Sequence, residues 1–364
     1  MTERTYPFAP SYTFPPGDTL AEVLKSRGMH QSDLAERAGL TTKAINEIVK
    51  AKARITPTTA LQLERVLGIP ASFWNNLQRR HDEALAVAEE GERLGRNVAW
   101  AKAFPVRAMA KCGWLEPSSD AVARLRGLLN FFGTASPDAW ETHWASTQVA
   151  FRSIAKLPKD NYALACWLRR GEVEAAGIET KAYDEDRFRQ TLTHVRRLTK
   201  LPGVEFVEPL VSSCAEAGVA VVFVPELPGT RTYGATRWLS PQKALIQLSL
   251  RRKADDQLWF SFFHEAAHIL LHPKKAVFIE AAQGTDEFED QADRFARDTL
   301  IPPGDYRAFV SLGDFGHAAV AEFAHRIGVA PGIVVGRLQH ERLTPYNRLN
   351  ALKRHYTFAA EAAA

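Results

Sequence analysis

The stretch WFSFFHEAAHILLH, residues 259–272, limits the fold of this chain more than any other part of it. As a helix of 3.6 residues per turn it is apolar almost all round, so other elements must wrap it. A chain of 364 residues, 46% of them hydrophobic, can build that wrapping, and its length suggests two or three domains. Yet the same stretch carries His264, Glu265, His268 and His272. Burying unpaired polar groups costs free energy, so these four need partners inside the fold.

The rest of the composition is permissive. With 24% charged residues and a formal net charge of +4, contact with nucleic acid is allowed but not required. Cys112, Cys166 and Cys214 are odd in number and far apart, which argues against a disulfide framework and suits a reducing cytoplasm. The opening MTERTYPFAPSYTFPPG lacks the apolar core of a signal peptide, and there is no uncharged apolar run of about 18 residues. The expectation is a cytoplasmic protein with no membrane partner.

Four regions follow from the pattern. Residues 1–80 read as short helices broken at Gly28, Gly39 and Gly68-Ile69-Pro70, with 11 Lys and Arg against 7 Asp and Glu. Residues 81–204 read as a helical middle region rich in tryptophan (Trp100, Trp114, Trp140, Trp144, Trp167) and without legible chemistry. From 205 to 310, VAVVFVPEL and KALIQLSL read as strands, with PGTRTYGATRWLSPQ as a turn-rich link between them. The apolar helix follows, with Asp255 or Asp256 near its start, where negative charge is favoured. A second helix in TDEFEDQADRFARDTLIPP is stopped by Pro302 and Pro303. Residues 311–364 read as further helices. The fold class is therefore α+β and mostly α.

In HQSDLAERAGLTTKAINEIVKAKAR, the positions of Gln31, Ala35, Gly39 and Ile45 have the spacing of a helix-turn-helix. Ala35 allows a close helix crossing, Gly39 the positive φ of a tight turn, and Ile45 a plug into the core. Gln31 at a helix start is suited to a DNA phosphate. Thr41, Thr42, Lys43 and Asn46 on the second helix suit base edges and phosphates of a major groove, and Lys50, Lys52 and Arg54 suit phosphates.

His264, Glu265 and His268 form HExxH. Residues i and i+4 share a helix face, so the two imidazoles can meet one ion, while Glu265 is placed as a catalytic base. His272 is a poor third ligand, because it lies about 12 Å beyond His264 along a straight helix; it suits the helix end instead. Glu289 is the better third ligand, with Ala292 and Ala296 allowing close approach of its helix. Asp293, one turn later, can receive a ring N–H from a ligand histidine. Two histidines, a glutamate and an open position make a catalytic zinc site, with manganese as the alternative ion. Tyr233, Arg231, Arg251 and His317 are candidates for the oxyanion or substrate contact, and strand 243–250 for an edge that receives a substrate strand.

Two resemblances extend these readings. PPGDTLAEVLKSRGMHQSDLAERAGL with ITPTTALQLERVLGIPASFWNNLQRRHD resembles the HigA-type antitoxins of the XRE helix-turn-helix family. It implies a homodimer on a palindromic double-stranded operator. HExxH followed by Glu289 and Asp293 resembles the gluzincin arrangement. LWFSFFHEAAHILLH with EDQADRFARDTLIPP resembles the ImmA/IrrE-type metallopeptidases, although Ala267 stands where that family often has glycine. That resemblance implies His264, His268 and Glu289 as ligands, Glu265 as base, and a helix-turn-helix repressor or partner protein as substrate, in a stress, phage or mobile-element response. The expected protein is a DNA-binding regulator with a zinc endopeptidase domain that cleaves such a repressor, a partner protein or itself. The alternative is an antitoxin-like autoregulatory repressor whose metal domain is a non-catalytic sensor or scaffold, with a toxin-like partner.

Overall fold

The computed structural model describes residues 14–143, 162–274, 278–281 (as backbone) and 287–358, so Trp144 lies outside the described residues. The chain forms two compact units, Met1–Arg96 and Asn97–Ala364.

In the first unit, helices α1 (Pro16–Ser26), α2 (Gln31–Ala38), α3 (Thr42–Val49) and α4 (Pro57–Leu67) enclose a core of Leu20, Leu34, Ile45, Leu63 and Trp74. Gly39 ends α2 with φ of 67°, the left-handed turn that lets α3 start three residues later. Thr41 caps α3 by accepting from the Ala44 N–H at 3.1 Å. Helix α5 (Ala71–Gly95) does not stop near residue 80, where the sequence suggested a boundary. No proline interrupts its run of Ala, Glu, Arg and Leu, so the helix continues.

The second unit begins with short helices, among them α6 (Val106–Lys111) and α7 (Ala121–Phe132). Then come α8 (Tyr162–Ala176), α9 (Glu185–Leu198), α10 (Val207–Glu216) and strands β1 (Val219–Phe223), β2 (Thr232–Ser240) and β3 (Lys243–Leu248). Helix α11 (Asp255–Leu271), strand β4 (Phe278–Ala281) and helices α12 (Glu287–Leu300), α13 (Pro303–Ser311), α14 (His317–Ile327) and α15 (Pro331–His340) complete it. No single helix among the described residues is long and apolar enough to cross a membrane.

The sheet order is β1-β3-β2-β4, with β1 parallel to β3 and the other pairs antiparallel. Two expectations are corrected here. The turn-rich link contains the nine-residue strand β2, because Thr232, Tyr233, Thr236 and Trp238 are β-branched or aromatic and outweigh the single Gly234. And β3 is not an edge: it lies between β1 and β2, as its continuously buried Ala244 to Leu248 requires. Among the described residues the edges are β1 and β4.

Both faces of the sheet are covered. On one face α8 receives a hydrogen bond from Gln247 to the Trp167 carbonyl at 2.6 Å, and Arg237 pairs with Glu172 at 2.6 Å. On the other lies α11, held by Thr236 Oγ1 donating to the Glu265 carbonyl at 3.0 Å. One core joins Phe188 and Val195 of α9, Trp259, Phe262 and Phe263 of α11, Ala296 and Leu300 of α12, and Phe323 and Val334 of α14 and α15. Parts of the middle region and the whole run of C-terminal helices thus share a core with the apolar helix. The C-terminal segment also clasps the start of α11. Asp255 N–H donates to the Arg354 carbonyl at 2.9 Å, and Tyr356 N–H to the Lys253 carbonyl at 2.8 Å.

Candidate metal centre

The wrapping required by residues 259–272 is present: Phe262, Phe263, Ala266 and Ala267 have no exposure, and His264, Glu265 and His268 are buried with them. The imidazoles of His264 and His268 stand one turn apart on α11, their Nε2 atoms 3.1 Å from each other. Glu289 arrives from α12, whose Ala292 and Ala296 are fully buried. Its carboxylate lies 3.1 Å from His264 Nε2 and 3.6 Å from His268 Nε2. One donor atom from each of the three residues falls within 4.8 Å of the others.

That set fits a metal ion. Tetrahedral zinc with bonds of 2.0–2.1 Å places its ligand atoms about 3.3 Å apart, and the observed separations bracket that value. Burial, followed by the neighbouring His264 and His268-facing His272 rings, holds His268 well below the usual histidine range. It is therefore neutral, the form that offers a lone pair.

Around the donors sit residues that aim them. His264 Nδ1 is 2.8 Å from Asp293 Oδ1, so the ring N–H donates to the carboxylate and Nε2 is left for an ion. His268 Nδ1 is 2.7 Å from His272 Nδ1. His272 is the C-cap of α11 and is buried against Phe288, with ring centroids 4.6 Å apart. Glu265 is fully buried, and a Cβ at Gly234 of β2 would come within 2.7 Å of its Oε1. Gly234 looks like a turn residue in the sequence; it is the place where β2 makes room for this carboxylate. Its signal was the glycine inside an otherwise β-rich run, which can mark close approach of another group.

The remaining candidates are more dispersed. The Arg251 guanidinium lies 5.3 Å from the centre of the buried Tyr233 ring and 3.2 Å from Glu226. Arg231 is exposed in the turn before β2, and His317 is exposed at the first residue of α14.

In the first unit, Thr41, Thr42, Lys43, Lys50, Lys52 and Arg54 are exposed, and Gln31 and Asn46 are half-buried. Asn46 Nδ2 donates to Gln31 Oε1 at 3.2 Å, tying the start of α2 to α3. Arg54 is ion-paired with Asp82 of α5, and Lys43 lies 3.8 Å from Glu47. Exposed pairs of this kind are weak and leave both cations open to exchange partners.

Comparison with known proteins places both units. Residues 20–74 match the helix-turn-helix family model, and residues 214–339 match the model of the IrrE N-terminal-like domain, an M78 peptidase family. Over 79 residues the chain is 38% identical to virulence-associated protein I of Dichelobacter nodosus, covering 21% of this chain and 71% of that protein. A solved addiction-module antidote protein of the HigA family from Coxiella burnetii is 31% identical, covering 23% of this chain and 91% of its own, with a TM-score of 0.22. A Pseudomonas aeruginosa protein solved with its operator DNA is 27% identical, covering 24% and 94%, with a TM-score of 0.23. The chain thus belongs to the XRE-type helix-turn-helix family through its N-terminal unit, and joins to that reader a metallopeptidase-like IrrE/ImmA domain.

Proposed function

We propose that this protein is a DNA-bound, zinc-dependent endopeptidase that cleaves a partner protein, a helix-turn-helix regulator or a copy of itself. The observation that carries the reading is the meeting of His264, His268 and Glu289 with the buried Glu265 beside them. Two imidazoles and a carboxylate are the donor set of a hydrolytic centre rather than a structural one. A zinc ion bound there supplies Lewis acidity to a peptide carbonyl and acidity to a water molecule.

The chain's own groups supply the rest. Glu265 accepts the proton of the attacking water and returns it to the leaving amine. Asp293 keeps the His264 ring turned with Nε2 inward. Phe262, Phe263, Ala266 and Ala267 exclude bulk water from the helix that carries these groups. An extended substrate joins the sheet at the β4 edge, next to β2, which carries the contacts to Glu265. The exposed Thr41, Thr42 and Lys43 with Asn46 read an operator, and Lys50, Lys52 and Arg54 meet its phosphates, in a homodimer on a palindrome.

The test is Glu265→Gln in the full chain, with metal content measured alongside. The variant should keep its zinc and lose cleavage of a cognate protein by about 10²-fold or more, screened against the products of neighbouring genes. A wild-type protein that takes up no zinc after metal loading overturns the centre. Equal cleavage by variant and wild type overturns the role of Glu265. A zinc-loaded wild type that cleaves none of those proteins favours the reading as a repressor with a non-catalytic metal domain.

A further inference from the structure

The donor histidines are aimed in two different ways. His264 is held by a carboxylate, Asp293, which lies on the exposed side of α12. His268 is held by another imidazole, His272, buried at the end of the same helix. An Nδ1-to-Nδ1 contact of 2.7 Å needs a proton on one nitrogen and a lone pair on the other. When His268 turns its Nε2 lone pair to an ion, its proton must sit on Nδ1. His272 must then accept at Nδ1 and carry its own proton on Nε2.

We propose that His272 is a positioning residue for the metal centre, which selects the tautomer of His268 that can bind the ion and fixes the angle of its ring. The inference rests on the zinc reading above. Its geometry has three supports. His272 leaves the helical conformation as the C-cap, with φ −119° and ψ 160°, which lets a residue four beyond His268 fold its ring back against it. The residue is 6% exposed and so shielded from water that would compete for the Nδ1 contact. Phe288, the neighbour of Glu289, packs against the same ring with centroids 4.6 Å apart, so α12 is seated on it. A residue excluded as a ligand by its distance along the helix thus acts through one.

The experiment measures zinc affinity of the full chain by chelator competition in wild type, His272→Ala and His272→Asn. The Asn side-chain oxygen stands where Nδ1 stands in histidine and can accept the same hydrogen bond. Alanine should weaken zinc binding 10–100-fold, and asparagine should recover most of that loss. Thermal melts of the metal-free variants separate general unfolding from loss of positioning. Imidazole ¹⁵N resonances of the zinc-loaded wild type give a second reading, with His268 protonated at Nδ1 and His272 at Nε2. Wild-type affinity in the Ala variant overturns the inference, as does a His272 protonated at Nδ1. An Asn variant as weak as Ala, yet melting like wild type, overturns it too. A wild type without zinc binding instead overturns the centre itself, so the two failures are distinct.

Discussion

Gly234 and Glu265 claim the same few ångströms. A Cβ at Gly234 would sit 2.8 Å from Glu265 Cγ as well as against its carboxylate, so any side chain there pushes the glutamate from its place. Gly234→Ala should therefore reduce peptide cleavage at least tenfold while zinc content stays near wild type, because His264, His268 and Glu289 are donated by α11 and α12 and not by β2. Measuring both on the same preparation checks it; a fully active variant would show that the close contact is dispensable. At this scale the sequence is unevenly legible. The proximity of His264 and His268 follows from local helix geometry, and Ala292 and Ala296 mark the face by which Glu289 approaches. The contact of Gly234 depends on how β2 crosses α11, which no pattern near either residue announces, and that of His272 on how the helix end turns, which helix spacing alone does not give.

The start of α11 shows how an element can be held by groups that disfavour one another. Asp255 is fully buried, and its pKa is raised to about 6 by that burial and by the adjacent Asp256. The helix N-terminus favours negative charge, but loss of solvation outweighs it. A carboxyl group whose folded value is raised favours the folded state when protonated. Its stabilising effect is full below the ordinary aspartate value of 3.8 and is lost as pH rises through about 6. Asp255→Asn should remove this dependence: the variant should melt higher than wild type at pH 7, by up to about 3 kcal/mol of stability, and the gap should close toward pH 4. Parallel melting curves at pH 4 and pH 7 with a constant gap would refute it. Elements as a whole are legible where hydrophobic period and caps agree, as in α2 and α3, and where an unbroken apolar run or a terminating Pro302-Pro303 marks them, as in α11 and α12. They are not where a strand carries a glycine, as in β2, nor for the order of strands, since β3 enters between β1 and β2 through pairings that no local pattern announces.

At the scale of the molecule, the first unit has its own core around Leu34, Ile45 and Trp74, all within residues 1–96. A fragment of residues 1–96 should fold cooperatively and bind its own promoter DNA with affinity that falls steeply with salt; circular dichroism and gel shifts over a salt series check both. A fragment that melts without a transition would mean that this core needs the rest of the chain. The second unit is the opposite case. Its apolar helix is pinned at its start by residues 354 and 356, about a hundred positions later. A growing chain on a ribosome adds about 5–20 residues per second, and units fold in the order they emerge. The nascent protein therefore passes through an interval of many seconds in which the helix-turn-helix unit is finished and the peptidase-like unit is not. On the proposed function, synthesis interrupted between the two units yields a DNA-binding fragment without the peptidase-like domain, and each such copy would compete for the operator as an inert occupant.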